Sequence, residues 1–438
     1  MNLQPPKNPN YAATIVRLKD FVDLPNCDNV KAALIFGNSV IVAKTVQVGN
    51  LGVFFPVETA ISTEFLGKNN QYRKPEYGNS DPNEKGFFEQ HGRVKAMKFR
   101  GHKSEGFWIP VHSLDYLGAG PFEEGQVFDA VGEHEICRKY VPRGQGGKTS
   151  SNQARQAKLE DSIVDGQFRL HFDTENFRRN AHKVQPEDWI SISDKWHGTS
   201  VVIAKILVKR NLRWHERVLR KFGVAVQESN YGLTYSSRRV IKAVNGIEKN
   251  NQHFYSEDIW GVVAKEVEDR IPNGFTLYGE IVGFTPEGQP IQGGYAYGCA
   301  PKQHKFVVYR VTSTNDDGLV IELSWQQMTE FCNKYGFDQV PTIYLGRAKY
   351  ILPRDTPWID SLSEWQQEIL SVMERTWVHD QDCPYNGKLP AEGIVIRIDR
   401  LHECESFKLK NFRFLEAESK ALDKGELDTE TAQSEEAA

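Results

Sequence analysis

The stretch Lys195-Trp196-His197-Gly198 is the first place in this 438-residue chain where residue types and spacing suggest covalent chemistry. A lysine amine attacks phosphorus only when deprotonated, which requires burial or a neighbouring cation. Gly198 would let the backbone come close to a ligand. Downstream, Glu280 sits in Leu277-Tyr278-Gly279-Glu280-Ile281-Val282, and Glu392 directly precedes Gly393-Ile394-Val395-Ile396-Arg397. A carboxylate in such an apolar strand is costly unless it holds a metal, a ribose hydroxyl or a cation. Lys408 and Lys410 in Phe407-Lys408-Leu409-Lys410-Asn411 are two residues apart and share one strand face. Two cations so placed can clamp a triphosphate and neutralise charge as pyrophosphate leaves. Arg238 and Arg239, after Ser236-Ser237, can hold phosphate. Phe306-Val307-Val308-Tyr309 offers an aromatic to stack on a purine. Singly, each has an ordinary reading as a turn, a strand-end salt bridge, a solvated face or a core aromatic. Together they are the parts that covalent transfer of a nucleotide needs.

The elements that must position these residues read as two β-rich parts. Residues 11–18, 32–36, 40–44, 51–56 and 106–110 are short β-branched or aromatic runs broken by Asn and Gly. At that spacing they suggest a small barrel over residues 1–145. Residues 93–103 interleave cations with apolar side chains, which suits either a phosphate backbone or a solvated strand face. Residues 144–161 are polar and glycine-rich and read as an interdomain linker, within a linker and lead-in over 146–185. Gly144-Gln145-Gly146-Gly147-Lys148-Thr149 lacks the spacing of a phosphate loop. Strands with interspersed helices fill 186–415. A hairpin over 192–207 surrounds the lysine, and 3.6-type periodicity predicts helices over 258–270, 324–335 and 361–376. Residues 209–221 are strongly basic around one tryptophan and suit a phosphate backbone as well as a solvated helix. The acidic residues 416–438 read as frayed helix followed by disorder.

Composition sets outer bounds. Hydrophobic residues at 39% and charged residues at 26% fit a globular enzyme, and the net charge of -4 with pI near 6.3 does not announce a nucleic-acid binder. No apolar run approaches the roughly 20 residues of a membrane span, and the first ten residues lack a signal-peptide core. The six scattered cysteines have neither zinc nor redox spacing, so reduced thiols in a cytoplasmic compartment are expected.

The six segments, in this order, resemble the covalent nucleotidyltransferases, the group of polynucleotide ligases and capping enzymes. Only residues 412–438 follow the lysine pair in this sequence, too few for the extra OB domain of DNA ligases and capping enzymes. The chain is therefore similar to ATP-dependent RNA ligases. Residues 101–111, with Lys139-Tyr140-Val141-Pro142, resemble the N-terminal OB module of the Deinococcus and Naegleria type. The resemblance covers residues 11–415. It implies an α+β chain: an OB-type β-barrel, then an adenylyltransferase domain of antiparallel sheets with flanking helices.

The resemblance also implies roles. Lys195 would become lysyl-AMP. Glu280 and Glu392 would bind ribose or water-coordinated metal, and Lys408 and Lys410 would contact the α-phosphate. Phe306, or alternatively Tyr309, would stack on adenine. His197, where many ligases carry aspartate, resembles the Deinococcus-type variant, and Arg238 matches the motif between nucleophile and first glutamate. ATP with Mg²⁺ or Mn²⁺ is the implied cofactor set. The implied substrate is a nick in duplex RNA or an RNA/DNA hybrid with an RNA 3′-hydroxyl strand, sealed by a monomer. The alternatives are a ligase for single-stranded ends, as in tRNA repair, and a non-catalytic RNA-binding protein. A DNA ligase or a guanylyltransferase is disfavoured.

Overall fold

Residues 3–141, 150–248, 255, 257–353, 356, 359–400 and 404–425 are described by a computed structural model. It is a mixed α+β chain in which antiparallel sheets dominate. Two large sheets carry the predicted chemistry. One has five strands in the order Glu175–Asn176, Cys404–Lys410, Gly393–Asp399, Trp189–Lys195 and Thr342–Arg347. In the other, Ser229–Ser237, Thr199–Lys209, Phe275–Gly283 and His304–Thr314 are successive neighbours.

The hairpin expected over 192–207 does not form. Trp189–Lys195 pairs with Gly393–Asp399 and Thr342–Arg347. Thr199–Lys209 pairs with Ser229–Ser237 and Phe275–Gly283. Lys195 therefore ends a strand of one sheet, and four residues later the chain has joined the other. Local alternation cannot distinguish these cases, because partner choice is decided by distant strands.

The predicted helices are present at Ile259–Val267, Trp325–Tyr335 and Leu362–Met373. Asp258, Ser324 and Ser361 each cap one by accepting a bond from a first-turn amide, which satisfies an otherwise orphaned donor. Their apolar stripes close the two catalytic-region cores. Trp260, Val263, Trp325 and Met328 pack behind the larger sheet, and Ile369, Leu370 and Met373 behind the five-stranded one.

The N-terminal strands fall close to expectation at Ala13–Arg17, Val30–Ile35, Asn38–Ala43, Leu51–Phe55 and Phe107–Pro110. Their ladders form several small antiparallel sheets and, among the described residues, do not close into one barrel. Successive side chains of Leu51–Phe55 feed opposite cores, as strand geometry requires. Phe55 joins Ile15, Phe65 and Phe128, while Phe54 joins Leu18, Val40 and Trp108.

The linker expectation is corrected where the structure describes it. Of the proposed linker, residues 142–149, including the Gly144–Thr149 loop candidate, lie outside the described residues. Ser150–Asp161 is a helix, and Leu159 packs with Ile163 against Ile206, Val208 and Ile241. The acidic end is likewise ordered at first. Phe412–Asp423 is a helix with Phe412, Phe414 and Leu415 buried, while 426–438 lie outside the described residues.

Buried charge joins the N-terminal region to the rest. Arg178 binds Glu105 at 2.9 Å and Glu374 at 2.5 Å, and also reaches Asn38. Burial alone would draw its pKa down, but the two carboxylates outweigh that and raise it. Arg93 and Lys95, from the stretch read as a possible phosphate surface, instead hold Asp423 of the C-terminal helix at 2.7 and 2.8 Å.

Candidate active site

Lys195, Gly393 and Lys410 stand in one row across three neighbouring strands, with Ser193, Val395 and Lys408 in the next. The register places the three predicted lysines on one sheet although 213 residues of sequence separate Lys195 from Lys408. Gly393 is the hinge of this arrangement. Its φ is +144°, and a Cβ there would lie 2.1 Å from the Leu409 carbonyl oxygen. Only glycine fits. The turn it allows brings the preceding Glu392 carboxylate to Lys195, with Oε1 2.6 Å from Nζ. Glu392 is 2% exposed and Lys195 side chain 15%. Lys410 Nζ lies 3.8 Å from the same oxygen, and also faces Glu418 at 3.5 Å and Glu58 at 3.9 Å.

The facing sheet supplies Glu280. It pairs across the ladder with Ser200 and Val307. A register shift between Tyr278 and Gly279 turns Tyr309 toward the same side. The Tyr309 hydroxyl lies 3.1 Å from Ser200 Oγ and 3.2 Å from His171 Nδ1. Burial, followed by the charge of Glu280, pushes the Tyr309 hydroxyl well above its ordinary pKa, so it stays protonated as a donor.

Between the sheets lies an open cleft with walls from both. Lys195, Glu280, Arg238, Lys408, Lys410 and Tyr309 all line it. Of the two aromatic candidates, it is Tyr309 that faces the cleft. Phe306 packs against the core, with its ring over Gly279, where a Cβ would meet it at 2.4 Å. Gly198 is also reassigned. A Cβ there would meet the Ile281 carbonyl oxygen at 2.4 Å and Val282 at 2.8 Å, so the close approach it permits is strand to strand rather than to a ligand. His197 is set back from the cleft. Its ring stands edge-on between Tyr295 and Phe414, with Nδ1 3.8 Å from Glu392 Oε2, and its amide donates to the Tyr297 hydroxyl at 2.7 Å.

Several residues in or behind the cleft wall carry no sequence signal of their own. Asp173 lies inside the presumed lead-in. It accepts from Arg238 at 2.5 Å and from Arg239 at 3.0 Å. Burial would raise its carboxyl, but Arg238, then Lys408 and Arg239, hold it well below the usual carboxylate range. Arg310 lies over the Phe172 ring at 4.4 Å and shares Glu322 with the buried Arg397 at 2.7 and 3.0 Å. Glu58, from the N-terminal region, and Glu418, from the C-terminal helix, flank Lys410. A rule that reads cofactor pockets from nearby motifs would miss all of these, because each comes from a separate part of the chain.

Lys408 is half-buried at the cleft wall. Burial, then the neighbouring charge of Lys410, draws its pKa down to about 8. It is thus held where an arriving phosphate would restore its full charge.

No cluster of three His, Cys, Asp or Glu side chains suited to a metal occurs among the described residues. Glu392 Oε2 is buried and has no hydrogen-bond partner. Carboxylate oxygens of this kind suit Mg²⁺ or Mn²⁺, which keep several waters and share phosphate oxygens, rather than a metal caged by protein alone.

Comparison with known proteins places the family and the fold. A family model described as RNA ligase matches residues 188–411. No curated protein matches the chain. Naegleria gruberi RNA ligase with PPi superposes at a TM-score of 0.57 and 14% identity, over 93% of this chain and 98% of that one. A mutant of the same ligase with AMP and Mn gives 0.56 and 15%, over 92% and 98%. A mutant with ATP and Mn gives 0.55 and 14%, again over 92% and 98%. At these identities the likeness is one of fold.

Proposed function

Because this chain belongs to the RNA ligase family, we propose that it is an ATP-dependent enzyme that seals a 3′-hydroxyl to a 5′-phosphate through a lysyl-AMP intermediate. The observation that carries the reading is the Lys195–Glu392 pair at 2.6 Å, in the row that also holds Lys410.

Lys195 Nζ attacks the α-phosphorus of ATP. A phosphorus–nitrogen bond forms, the α–β phosphoanhydride bond breaks, and pyrophosphate leaves. The amine proton must leave first, and Glu392 Oε1 is within reach to take it. Lys408 and Lys410 neutralise the charge that builds on the phosphates. Tyr309 offers its ring to the base, and Arg238, braced by Asp173, offers a phosphate contact. A divalent cation held through Glu392 and Glu280 would withdraw charge from the phosphate oxygens. AMP then passes to a 5′-phosphate as the phosphorus–nitrogen bond breaks. Finally a 3′-hydroxyl attacks that phosphate and AMP leaves.

We read the substrate as a nick in duplex RNA or an RNA/DNA hybrid, with the 3′-hydroxyl on RNA. Residues 1–145 act as an OB-type module that grips the duplex, 146–185 lead into the catalytic domain at 186–415, and 416–438 form an acidic tail. The protein acts as a monomer in the cytoplasm. No helix among the described residues is long and apolar enough to cross a membrane, and all six cysteines are free thiols.

The test is α-labelled ATP with Mg²⁺ or Mn²⁺, beside Lys195→Ala, followed by a choice of nicked duplexes and single strands. Label on the wild type alone and sealing of nicks are expected. Labelling by GTP alone would end the ligase reading, and efficient circularisation of single strands without nick sealing would favour an end-repair ligase.

A further inference from the structure

Residues 210–228 form an excursion at the far end of the sheet that carries Glu280. Thr199–Lys209 and Ser229–Ser237 pair along nearly their whole length, from Val201↔Ser237 to Lys209↔Ser229, so the excursion extends beyond the sheet from their tips. Its helix, Trp214–Lys221, contains no buried residue. Trp214 is 77% exposed and Phe222 81%, and Val218, Leu219 and Val224 are exposed as well. Large aromatics left in water on a helix this small call for a partner.

Charge indicates which partner. Between residues 209 and 228 there are six cations and two carboxylates, in a chain whose net charge is -4. The carboxylates are used to shape the tip. Glu216 accepts from the Arg213 amide at 2.7 Å and pairs with Arg210 at 2.9 Å, and Glu228 pairs with Arg220 at 2.9 Å. At 100° per residue, Trp214, Val218 and Phe222 fall on one arc, and Arg217 and Lys221 border it. Aromatic faces beside cations match bases beside phosphates. A membrane is a poorer match, because a helix of eight residues offers little apolar face to a bilayer.

We propose that this tip is a second nucleic-acid contact, gripping an arm of the RNA substrate away from the joining site. The inference rests on the ligase reading for the identity of its ligand. Thr199–Lys209 is 11 residues long, so the tip stands about 30 Å from the end of the strand nearest Lys195. That distance corresponds to about ten base steps at roughly 3.4 Å each. The tip therefore senses arm length, and the cleft does not.

The experiment compares nicked RNA duplexes with arms of about six and about fourteen base pairs. The proteins are the full chain, Trp214→Ser/Phe222→Ser, and Arg213→Ser/Arg217→Ser/Lys221→Ser. The wild type is expected to bind the long-armed duplex at least ~10-fold more tightly. The aromatic pair should erase that advantage. The cation triple should lower the salt slope of long-arm binding by about 2 to 3. Lysyl-AMP formation should be unchanged in both. Equal binding of both duplexes by the wild type, or variants that keep its affinity and salt slope, overturns the proposal. So does tip-dependent binding to phosphatidylserine vesicles, or tip-dependent self-association in sedimentation, with RNA binding intact. If the wild type itself forms no lysyl-AMP, the catalytic reading fails while the binding comparison can still be made.

Discussion

Lys195 Nζ lies 2.6 Å from Glu392 Oε1, and the two side chains come from neighbouring antiparallel strands through a glycine with φ of +144°. In the proposed reaction the pair would set the position of the Lys195 amine and give its proton a destination. Glu392→Gln keeps the shape and removes the charge. Label transfer from ATP to Lys195 is expected to drop by roughly 10²-fold or more. A loss matched by unfolding at the assay temperature would assign Glu392 to packing instead.

Lys408 carries a pH signature. Its folded pKa of about 8 lies below the 10.5 of an ordinary lysine. Between those values the unfolded chain holds a proton that the folded chain has released. Lys408 therefore penalises folding below about pH 8, and the penalty fades as pH rises toward 10.5. Nucleotide affinity runs the other way, because the phosphate contact needs the cation. ATP binding at pH 8.5 should take up a proton, seen by calorimetry in two buffers of different ionisation enthalpy. Lys408→Arg should abolish that uptake. Uptake that persists in the arginine variant would assign the proton to another group.

Asp173 braces Arg238 and Arg239. Its depressed carboxyl contributes stability that is present above the ordinary value of 3.8 and is lost as pH falls below it. Asp173→Ala leaves two cations beside Lys408 with their shared counter-charge removed. A loss of about 3 kcal/mol at neutral pH is expected in denaturant titration, together with a weaker dependence of stability on acid. An unchanged midpoint would mean that water compensates the arginines.

Tyr309 and Phe306 make opposite predictions for KM. Tyr309→Leu should raise the KM for ATP about 10-fold, since the ring lines the cleft, and cost about 1 kcal/mol of stability through the lost hydroxyl contacts to Ser200 and His171. Phe306→Leu should lower stability by about 1 kcal/mol and leave KM nearly untouched, since its ring packs over Gly279. The reverse pattern would return Phe306 to the role first expected of it.

A single substitution tests the strand crossing. Gly198→Ala puts a methyl 2.4 Å from the Ile281 carbonyl oxygen. Backbone cannot yield as a flexible side chain does, so the variant should lose at least about 2 kcal/mol of stability. Wild-type stability with altered nucleotide affinity would instead support a ligand contact at Gly198.

The sequence alone singled out the candidate reactive groups. Lys195, Glu280, Glu392, Lys408 and Lys410 were legible because each sits in, or for Glu392 directly before, a short strand whose apolar neighbours make a charged residue conspicuous. Three helices were legible for a similar reason, since periodicity and caps are local. The tertiary structure alone decided how these pieces meet. Alternation around Lys195 fits a hairpin equally well, and only pairing with Gly393–Asp399 on one side of the turn and Phe275–Gly283 on the other makes it a crossing between sheets. The same holds for Asp173, Glu58 and Glu418, ordinary acids in segments that read as lead-in, strand and tail. Each meets a cation more than 60 residues away or, for Glu418, a lysine eight residues earlier at the end of the strand that precedes its docked helix. Electrostatic partnership depends on distance in space, and the order of residues in a chain carries that information only after the chain has folded.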